Sequence, residues 1–304
     1  MFTRSFVNDV LVASAQGNSG FVSRPTLLIA HFVASNIVAW NALFATIQVA
    51  IGAGILAGVL SRRAWLLRVA LAGSFLWSVL VWWLSEGLGG VLTGASPLSG
   101  APGAVLLYMV VGILLWPGPR DERDEVPAPY LGSIAARVMW LVLWAFSAFL
   151  LLEPQNQSRG ALSSLISQAA TGEPGFVHSL LAGVAGSLKA AGPWVDSLLA
   201  LLMVIIAYCV ALRYHPRMFL TISIVLGTAI WVLGQAFGGI LTGQGTDPNS
   251  GPLWVLFACC MWSGLATTTI ASRVDQREPW LEPVPSAPAA GGVEAVEALG
   301  ACAT

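Results

Sequence analysis

The sequence predicts an all-α membrane protein with about seven transmembrane helices, arranged as two parallel repeats that one linking helix joins. Three observations support this fold class: the composition, the length of the apolar runs, and a thirteen-residue pattern that occurs twice. Of the 304 residues, 56% are hydrophobic and only 10% are charged, and the mean hydropathy is +0.77. Because soluble domains carry about 25% charged residues, this composition indicates a polytopic membrane protein.

Seven apolar runs are candidates for membrane spans. About 20 apolar residues are needed to cross roughly 30 Å of hydrocarbon, and the third run is short by that measure. We expect every span to be helical, because a lipid-exposed backbone must satisfy its own hydrogen bonds. The predicted spans cover residues 36–60, 65–85, 101–117, 134–152, 194–212, 218–236 and 252–271.

A thirteen-residue pattern occurs twice, at residues 82–94 (WWLSEGLGGVLTG, the first signature turn) and at residues 231–243 (WVLGQAFGGILTG, the second signature turn). Seven of the thirteen positions are identical. Each copy ends one apolar run and precedes another, so the duplicated unit is predicted to be a membrane hairpin with its signature turn on the outer side.

The duplication also includes weakly amphipathic segments at residues 6–15 and 161–170, which we expect to lie as helices at the outer interface. Three spans per unit would invert the second copy, but a single linking span restores its direction, so the predicted symmetry axis is normal to the membrane. The predicted organisation is repeat 1 at 1–117, a charged cytoplasmic loop at 118–133, the linking span at 134–153, repeat 2 at 154–272 and a disordered cytoplasmic tail at 273–304.

The fourteen basic residues are distributed unequally between the two sides of these spans. Ten lie on one side, namely Arg62, Arg63, Arg68, Arg120, Arg123, Arg137, Arg213, Arg217, Arg273 and Arg277, and four on the other, namely Arg4, Arg24, Arg159 and Lys189. Because Lys and Arg are enriched in cytoplasmic loops, we expect the C-terminus to be cytoplasmic and both signature turns to face outward. The net charge of −1 and the absence of a basic cluster argue against a nucleic-acid partner.

Glu86 in the first signature turn is the strongest candidate for a functional side chain. A carboxylate that adjoins an apolar span is costly and is a functional-site hypothesis; the alternative is a solvated interfacial residue. Its counterpart Gln235 keeps the size and hydrogen-bonding shape but lacks the charge, as expected if two duplicated sites have diverged. We predict that both residues bind a ligand.

The glycines of the turns have a structural interpretation, in which they allow close helix approach or a positive φ where the chain leaves the helix. The alternative is a pocket of exposed backbone amides for an anionic or polar headgroup. Thr93 and Thr242 can cap the freed backbone or bind a ligand. The six structural glycines are Gly89, Gly90, Gly94, Gly238, Gly239 and Gly243.

The second signature turn continues into residues 246–252, TDPNSGP, which predicts an Asx-type turn and a helix start at Pro252. We include Asp247 among the ligand-binding candidates, but a single carboxylate is a weak metal signal.

The sequence predicts no catalytic residue, no metal site and no identified cofactor; haem ligation by His31 and His178 is a minor alternative. Cys209, Cys259 and Cys260 lie in apolar spans, so a disulfide framework is not supported.

The tandem W-x-L-x-[EQ]-x-x-G-G-x-L-T-G pattern, with the outer segment before it and the helix starts after it, resembles a family of uncharacterised integral membrane proteins of high-GC actinobacteria. The resemblance covers about residues 3–272 and implies an architecture only. The linking span has no counterpart before Arg4. We therefore expect that a first helix has been lost here or precedes the given start.

These features predict a multi-pass plasma-membrane protein that binds or translocates a small apolar or amphiphilic molecule between the repeats, near the outer leaflet. Its predicted partners are the lipid bilayer, such a ligand, and further membrane-complex subunits. The alternative function is a non-catalytic structural subunit of a respiratory or cell-envelope complex. A membrane-embedded enzyme ranks third.

Overall fold

A computed structural model describes residues 6–118, 131–190, 193–243, 245 and 247–275 of the chain, with side chains as far as Trp262. The predicted loop at 118–133 and tail at 273–304 fall largely outside these residues. Every regular element in the described part is a helix. The main helices are α1 (Phe6–Ala15), α2 (Gly20–Ser35), α3 (Ile37–Leu60), α4 (Ala64–Leu84), α5 (Ala104–Leu114), α6 (Gly132–Leu151), α7 (Ala161–Ala169), α8 (Gly175–Leu188), α9 (Trp194–Ala211), α10 (Pro216–Gly234) and α11 (Ser250–Asp275).

Five described helices are long and apolar enough to cross a membrane: α3, α4, α6, α9 and α10. They agree with five of the seven predicted spans to within about two residues at most ends. The predicted span at 101–117 contains only the 11 residues of α5, which extend about 16 Å. The predicted span at 252–271 lies within α11. The count of seven spans therefore stays a prediction.

The short helix α5 runs back alongside α4. At one end, the Trp82 indole nitrogen donates a hydrogen bond to the Pro102 carbonyl at 2.8 Å. At the other end, the Arg68 guanidinium donates to the Pro117 carbonyl at 3.0 Å. Residues 102–117 thus extend beside most of α4, although only part of this segment is helical.

The hydrophobic core is formed by α5, α6, α9, α10 and α11. Its centre is a group of aromatic side chains in tilted contact, Trp140, Trp144, Trp254 and Phe257, each at most 2% exposed. The Trp140 indole also donates to the Ile206 carbonyl at 3.3 Å and so links α6 to α9. Large aromatic side chains stabilise such a core mainly through the area that they bury.

The helices α3 and α4 pack together through small residues, and much of the remaining surface of α3 is exposed. A Cβ added at Gly58 would lie 2.8 Å from the backbone nitrogen of Leu67, so the helices could not approach as closely with a larger residue there. In α3, only Asn41 and Gly58 are buried. The remaining surface of this apolar hairpin is suited to lipid.

Two helical pairs precede the corresponding hairpins. α1 packs on α2 around Val7, Leu11 and Val33, and α7 packs on α8 around Ile166 and Leu181. Both segments predicted as amphipathic, 6–15 and 161–170, are helical. The order of elements is the same in the two halves of the chain: two short helices, two long helices, a signature turn and a further helix.

Candidate functional site: the two signature turns

Each signature turn leaves its long helix through a short 3₁₀ segment with left-handed backbone. Gly89 and Gly90 have φ values of 67° and 69°, and Gly238 and Gly239 have values of 71° and 66°. Residues other than glycine rarely adopt this backbone conformation. The paired glycines of the pattern are therefore explained by the backbone path that they allow.

Gly89 and Gly238 also allow a close approach between each turn and the segment that precedes the next helix. A Cβ at Gly89 would overlap the Pro102 carbonyl, just before α5. A Cβ at Gly238 would lie 2.8 Å from the Pro248 carbonyl oxygen, just before α11. Backbone thus packs directly on backbone at equivalent places in the two halves. Gly94 is similarly close to the Gln155 side chain, whereas Gly243 has open space around it.

Both predicted threonines cap their own turns. The Thr93 hydroxyl donates to the Gly90 carbonyl at 3.0 Å, and the Thr242 hydroxyl donates to the Gly239 carbonyl at 2.6 Å. Of the two roles left open by the sequence, backbone capping is the one that these bonds describe. Ligand binding by the threonines stays a prediction.

Gln235 is 6% exposed and joins its own turn to two other segments. Its amide nitrogen donates to the Ser250 hydroxyl at 2.8 Å and to the Pro97 carbonyl at 3.2 Å. Its amide oxygen accepts from the Gly251 backbone N–H at 3.0 Å, at the start of α11. The amide therefore satisfies a free helix N–H and connects the second turn to the first half of the chain.

Glu86 lies at the equivalent place in the first turn but makes fewer bonds. Its Oε1 atom accepts from the Val105 N–H, near the start of α5, at 3.4 Å. Its Oε2 atom is buried against Gly103 and has no hydrogen-bond partner among the described residues. Glu86 thus faces the start of the next helix, as Gln235 does, with one oxygen unused.

The surroundings of Glu86 disfavour its charged form. Burial raises the pKa of this carboxyl to about 8 from its ordinary 4.5, and the negative charge of Asp247 adds to the effect. The backbone N–H groups of Val105 and Ala104 oppose the shift only in part. A carboxyl that binds a proton near neutral pH is suited to proton exchange or to a ligand that brings positive charge.

Asp247 belongs to the turn that the sequence predicts before α11. Its Oδ1 atom accepts from the Asn249 N–H at 2.5 Å, and the Asn249 side chain accepts from the Ser250 N–H at 2.6 Å. The Asx-type turn chemistry is therefore confirmed. Because Asp247 influences Glu86 electrostatically, this turn places a carboxylate of the second half close to the carboxyl of the first.

The two halves contact each other partly through residues that the sequence did not single out. The Gly234 backbone packs on Leu98, and the Asn156 amide donates to the Gly94 carbonyl at 3.1 Å. Pro97 and Ser250 receive the bonds from Gln235. Of the segment between the first signature turn and α5, the sequence predicted a structure only for the residues from 101 onward, as part of the span at 101–117.

The other candidates lie away from this junction. His31 and His178 are exposed, on α2 and α8 respectively. Among the residues that the structure describes, no group of three or more His, Cys, Asp and Glu side chains could hold a metal ion.

Comparison of the chain with protein-family models, with characterised proteins and with solved structures finds no match. The five long apolar helices are compatible with an integral membrane protein.

Proposed function

We propose that the chain binds or translocates a small apolar or amphiphilic molecule where the two signature turns meet, near the outer leaflet of the plasma membrane. The observation that carries this proposal is the state of Glu86. It is a carboxyl beside an apolar bundle, with one buried oxygen that no described residue contacts through a hydrogen bond. Buried polar groups are normally paired, so an unpaired one indicates a missing hydrogen-bond partner.

The surroundings of Glu86 favour a ligand with both a polar and an apolar part. Trp82 and Tyr108 supply aromatic surface on one side, and Asp247 supplies a second carboxylate. A group that donates hydrogen bonds or carries positive charge would stabilise Glu86. The apolar remainder of the ligand would lie against the aromatic rings or in the lipid. The Glu86 side chain as a whole is partly buried, and the unpaired Oε2 atom is buried.

The alternative function, a structural subunit of a membrane complex, is favoured by a different observation. Gln235, Thr93 and Thr242 all use their polar atoms to hold the chain together. If Glu86 merely holds the start of α5 as Gln235 holds the start of α11, the turns are connectors and bind nothing. The two functions therefore differ in what they predict for Glu86.

Extraction of the protein with native lipid, followed by mass spectrometry of the copurified small molecules, distinguishes them. Under the binding proposal, a species enriched with the wild type is lost from Glu86→Gln, which keeps the shape of the side chain. The matched control is Glu153→Gln, which removes a carboxylate outside the two signature turns and should retain that species. Equal small-molecule content in all three proteins would favour the structural alternative.

The finer architecture is part of the proposal. Seven crossings, in two parallel repeats joined by α6, are supported by the common element order of the halves. They are supported also by the path of residues 102–117 beside α4. The cytoplasmic position of the C-terminus rests on the distribution of Lys and Arg.

A further inference from the structure

One polar side chain lies in the middle of a candidate span without a partner. Gln48 is the twelfth of the 24 residues of α3, between Ile37 and Leu60. Its side chain is exposed, and its amide makes no hydrogen bond with the residues that the structure describes. In a bilayer this position is near the centre of the hydrocarbon, too far from either surface for the amide to reach water.

An unpaired amide at that depth is unfavourable, because lipid tails can neither donate nor accept a hydrogen bond. Gln side chains in membrane helices bond to neighbouring helices for this reason. The main neighbours of α3 are α4 and, at its N-terminal end, α2. Neither supplies a partner for Gln48.

The face that carries Gln48 is open along the helix. Ala45, Val49, Gly52 and Leu56 share this face at helical spacing and are all exposed. A Cβ added at Gly52 would meet no atom within 4 Å. Gly52, one turn from the amide, thus leaves a shallow groove in the helix surface that another helix could approach closely.

The second half of the chain shows what occupies the flank of a corresponding helix. By order along the chain, α9 corresponds to α3, and α6 packs along α9 through the bond from Trp140 to Ile206. Among the described elements, α4 packs on another side of α3, and no second helix lies along the face that carries Gln48 as α6 lies along α9. A helix is therefore the kind of partner that this face would accept.

We propose that this face of α3 is a self-association surface, on which α3 of a second copy packs with Gln48 opposite Gln48. The amide favours this occupant because it is self-complementary. Each amide carries both a donor and an acceptor, so two of them related by a two-fold axis satisfy each other. The close approach that such a pair requires is available at Ala45 and Gly52.

The first test is oxidative cross-linking in native membranes, in a background in which the four native cysteines are replaced. Ala45→Cys and Gly52→Cys should form disulfide-linked dimers. Ala50→Cys and Ala57→Cys, which are exposed on the opposite side of α3, are the matched controls and should remain monomeric. Equal cross-linking of all four variants, or none, would overturn the proposed face.

The second test measures the stoichiometry of fluorescently labelled protein in vesicles by single-molecule photobleaching. Gln48→Leu should weaken dimerisation roughly three- to thirtyfold, the effect of losing an interhelical hydrogen bond in a bilayer. Thr228→Val, which removes an exposed hydroxyl from α10, is the control and should leave the dimer unchanged. Gly52→Ile tests the close approach independently, since it adds bulk where the single chain has room.

Three results would contradict the proposal. These are a monomeric wild type, a dimer that resists both Gln48→Leu and Gly52→Ile, and occupation of α3 by a different protein. Each variant must first elute as a folded species in detergent. Because Gln48 and Gly52 are exposed in the single chain, we expect both substitutions to meet that requirement.

Discussion

Glu86 and Gln235 occupy the same place in the two signature turns, and their difference in chemistry corresponds to a difference in hydrogen bonding. Gln235 needs a donor for Pro97 and Ser250 as well as an acceptor for Gly251. Glu86 accepts from Val105 and has no described carbonyl to donate to. An amide is required at position 235, whereas either a carboxyl or an amide could accept the bond from Val105 at position 86.

The raised pKa of Glu86 predicts a specific pH dependence of stability. Between about pH 4.5 and about pH 8, an unfolded chain loses the proton that the folded protein retains. The free energy of unfolding should therefore fall as the pH rises through this window and level off above it. Thermal unfolding in detergent should show this slope for the wild type and a smaller one for Glu86→Gln.

Asp247→Asn provides a further check on the cause of the shift. It removes the charge that helps to raise the pKa of Glu86 but keeps the oxygen that accepts from Asn249. The upper limit of the pH window should fall in this variant, while the lower limit, set by the unfolded chain, stays near pH 4.5. Identical slopes in the wild type, Glu86→Gln and Asp247→Asn would contradict the assignment.

Exchanging the two side chains should have unequal effects. Gln235→Glu removes both donated bonds and directs a carboxylate toward the Pro97 carbonyl, which should destabilise the fold by about 1–3 kcal/mol. Glu86→Gln keeps the acceptor for Val105 and should change stability far less near neutral pH. Urea or thermal unfolding of the two variants measures the difference. A similar loss in both would show that the two sites are structurally equivalent.

At this scale the sequence identified counterpart residues but not the bonds that they make. The repeated pattern identified Glu86 and Gln235 as counterparts, and the turn residues identified the Asx-type turn at Asp247. The partners Pro97 and Ser250 depend on the docking of one half against the other. No local pattern encodes such a long-range contact, so these partners could not be predicted.

At the scale of elements, the glycines separate two requirements, a left-handed backbone and close packing. Gly89→Ala violates both, since φ is 67° and the new Cβ would overlap Pro102. It should lower stability by roughly 2–4 kcal/mol. Gly243→Ala violates only the backbone requirement, with φ of 71° and open space, and should cost about 1 kcal/mol.

Gly52→Ala is the control for both variants, because Gly52 lies within α3 and has room for a methyl group. It should be neutral or stabilising, since alanine favours a helix over glycine by about 1 kcal/mol. Melting temperatures of the purified proteins should follow the order Gly52→Ala, Gly243→Ala, Gly89→Ala from highest to lowest. A different order would show that packing does not explain the first paired glycine.

The long helices were predictable because an apolar run of about 20 residues has few other stable structures in lipid. The structure of the segment at 101–117 was less predictable. Gly100 and Gly103 adopt φ values of 121° and 109°, and the helix begins only at Ala104. Apolar composition indicated burial of this segment correctly, but the extended start follows from its packing against the first signature turn.

At the scale of the whole molecule, the two ends of the bundle differ in character. Glu86, Gly94 and Gln235 lie at one end, where the halves interlock. Arg68 and Arg137 lie at the other, where they donate to the carbonyls of Pro117 and Ala211. The convergence of arginines at one end agrees with the orientation that the basic residues predict.

Cysteine labelling in intact cells tests this topology and the third crossing together, with the native cysteines replaced. Three exposed serines are suitable labelling sites: Ser61 follows α3, Ser133 lies at the start of α6, and Ser158 follows α6. If residues 102–117 cross the membrane beside α4, Ser61→Cys and Ser133→Cys should be protected from a membrane-impermeant reagent, while Ser158→Cys should react. If this segment does not cross, Ser61→Cys and Ser158→Cys would behave alike and Ser133→Cys would differ. The bond between Arg68 and Pro117 leads us to expect the first pattern, because it holds the end of this segment beside the start of α4, next to Ser61 along the chain.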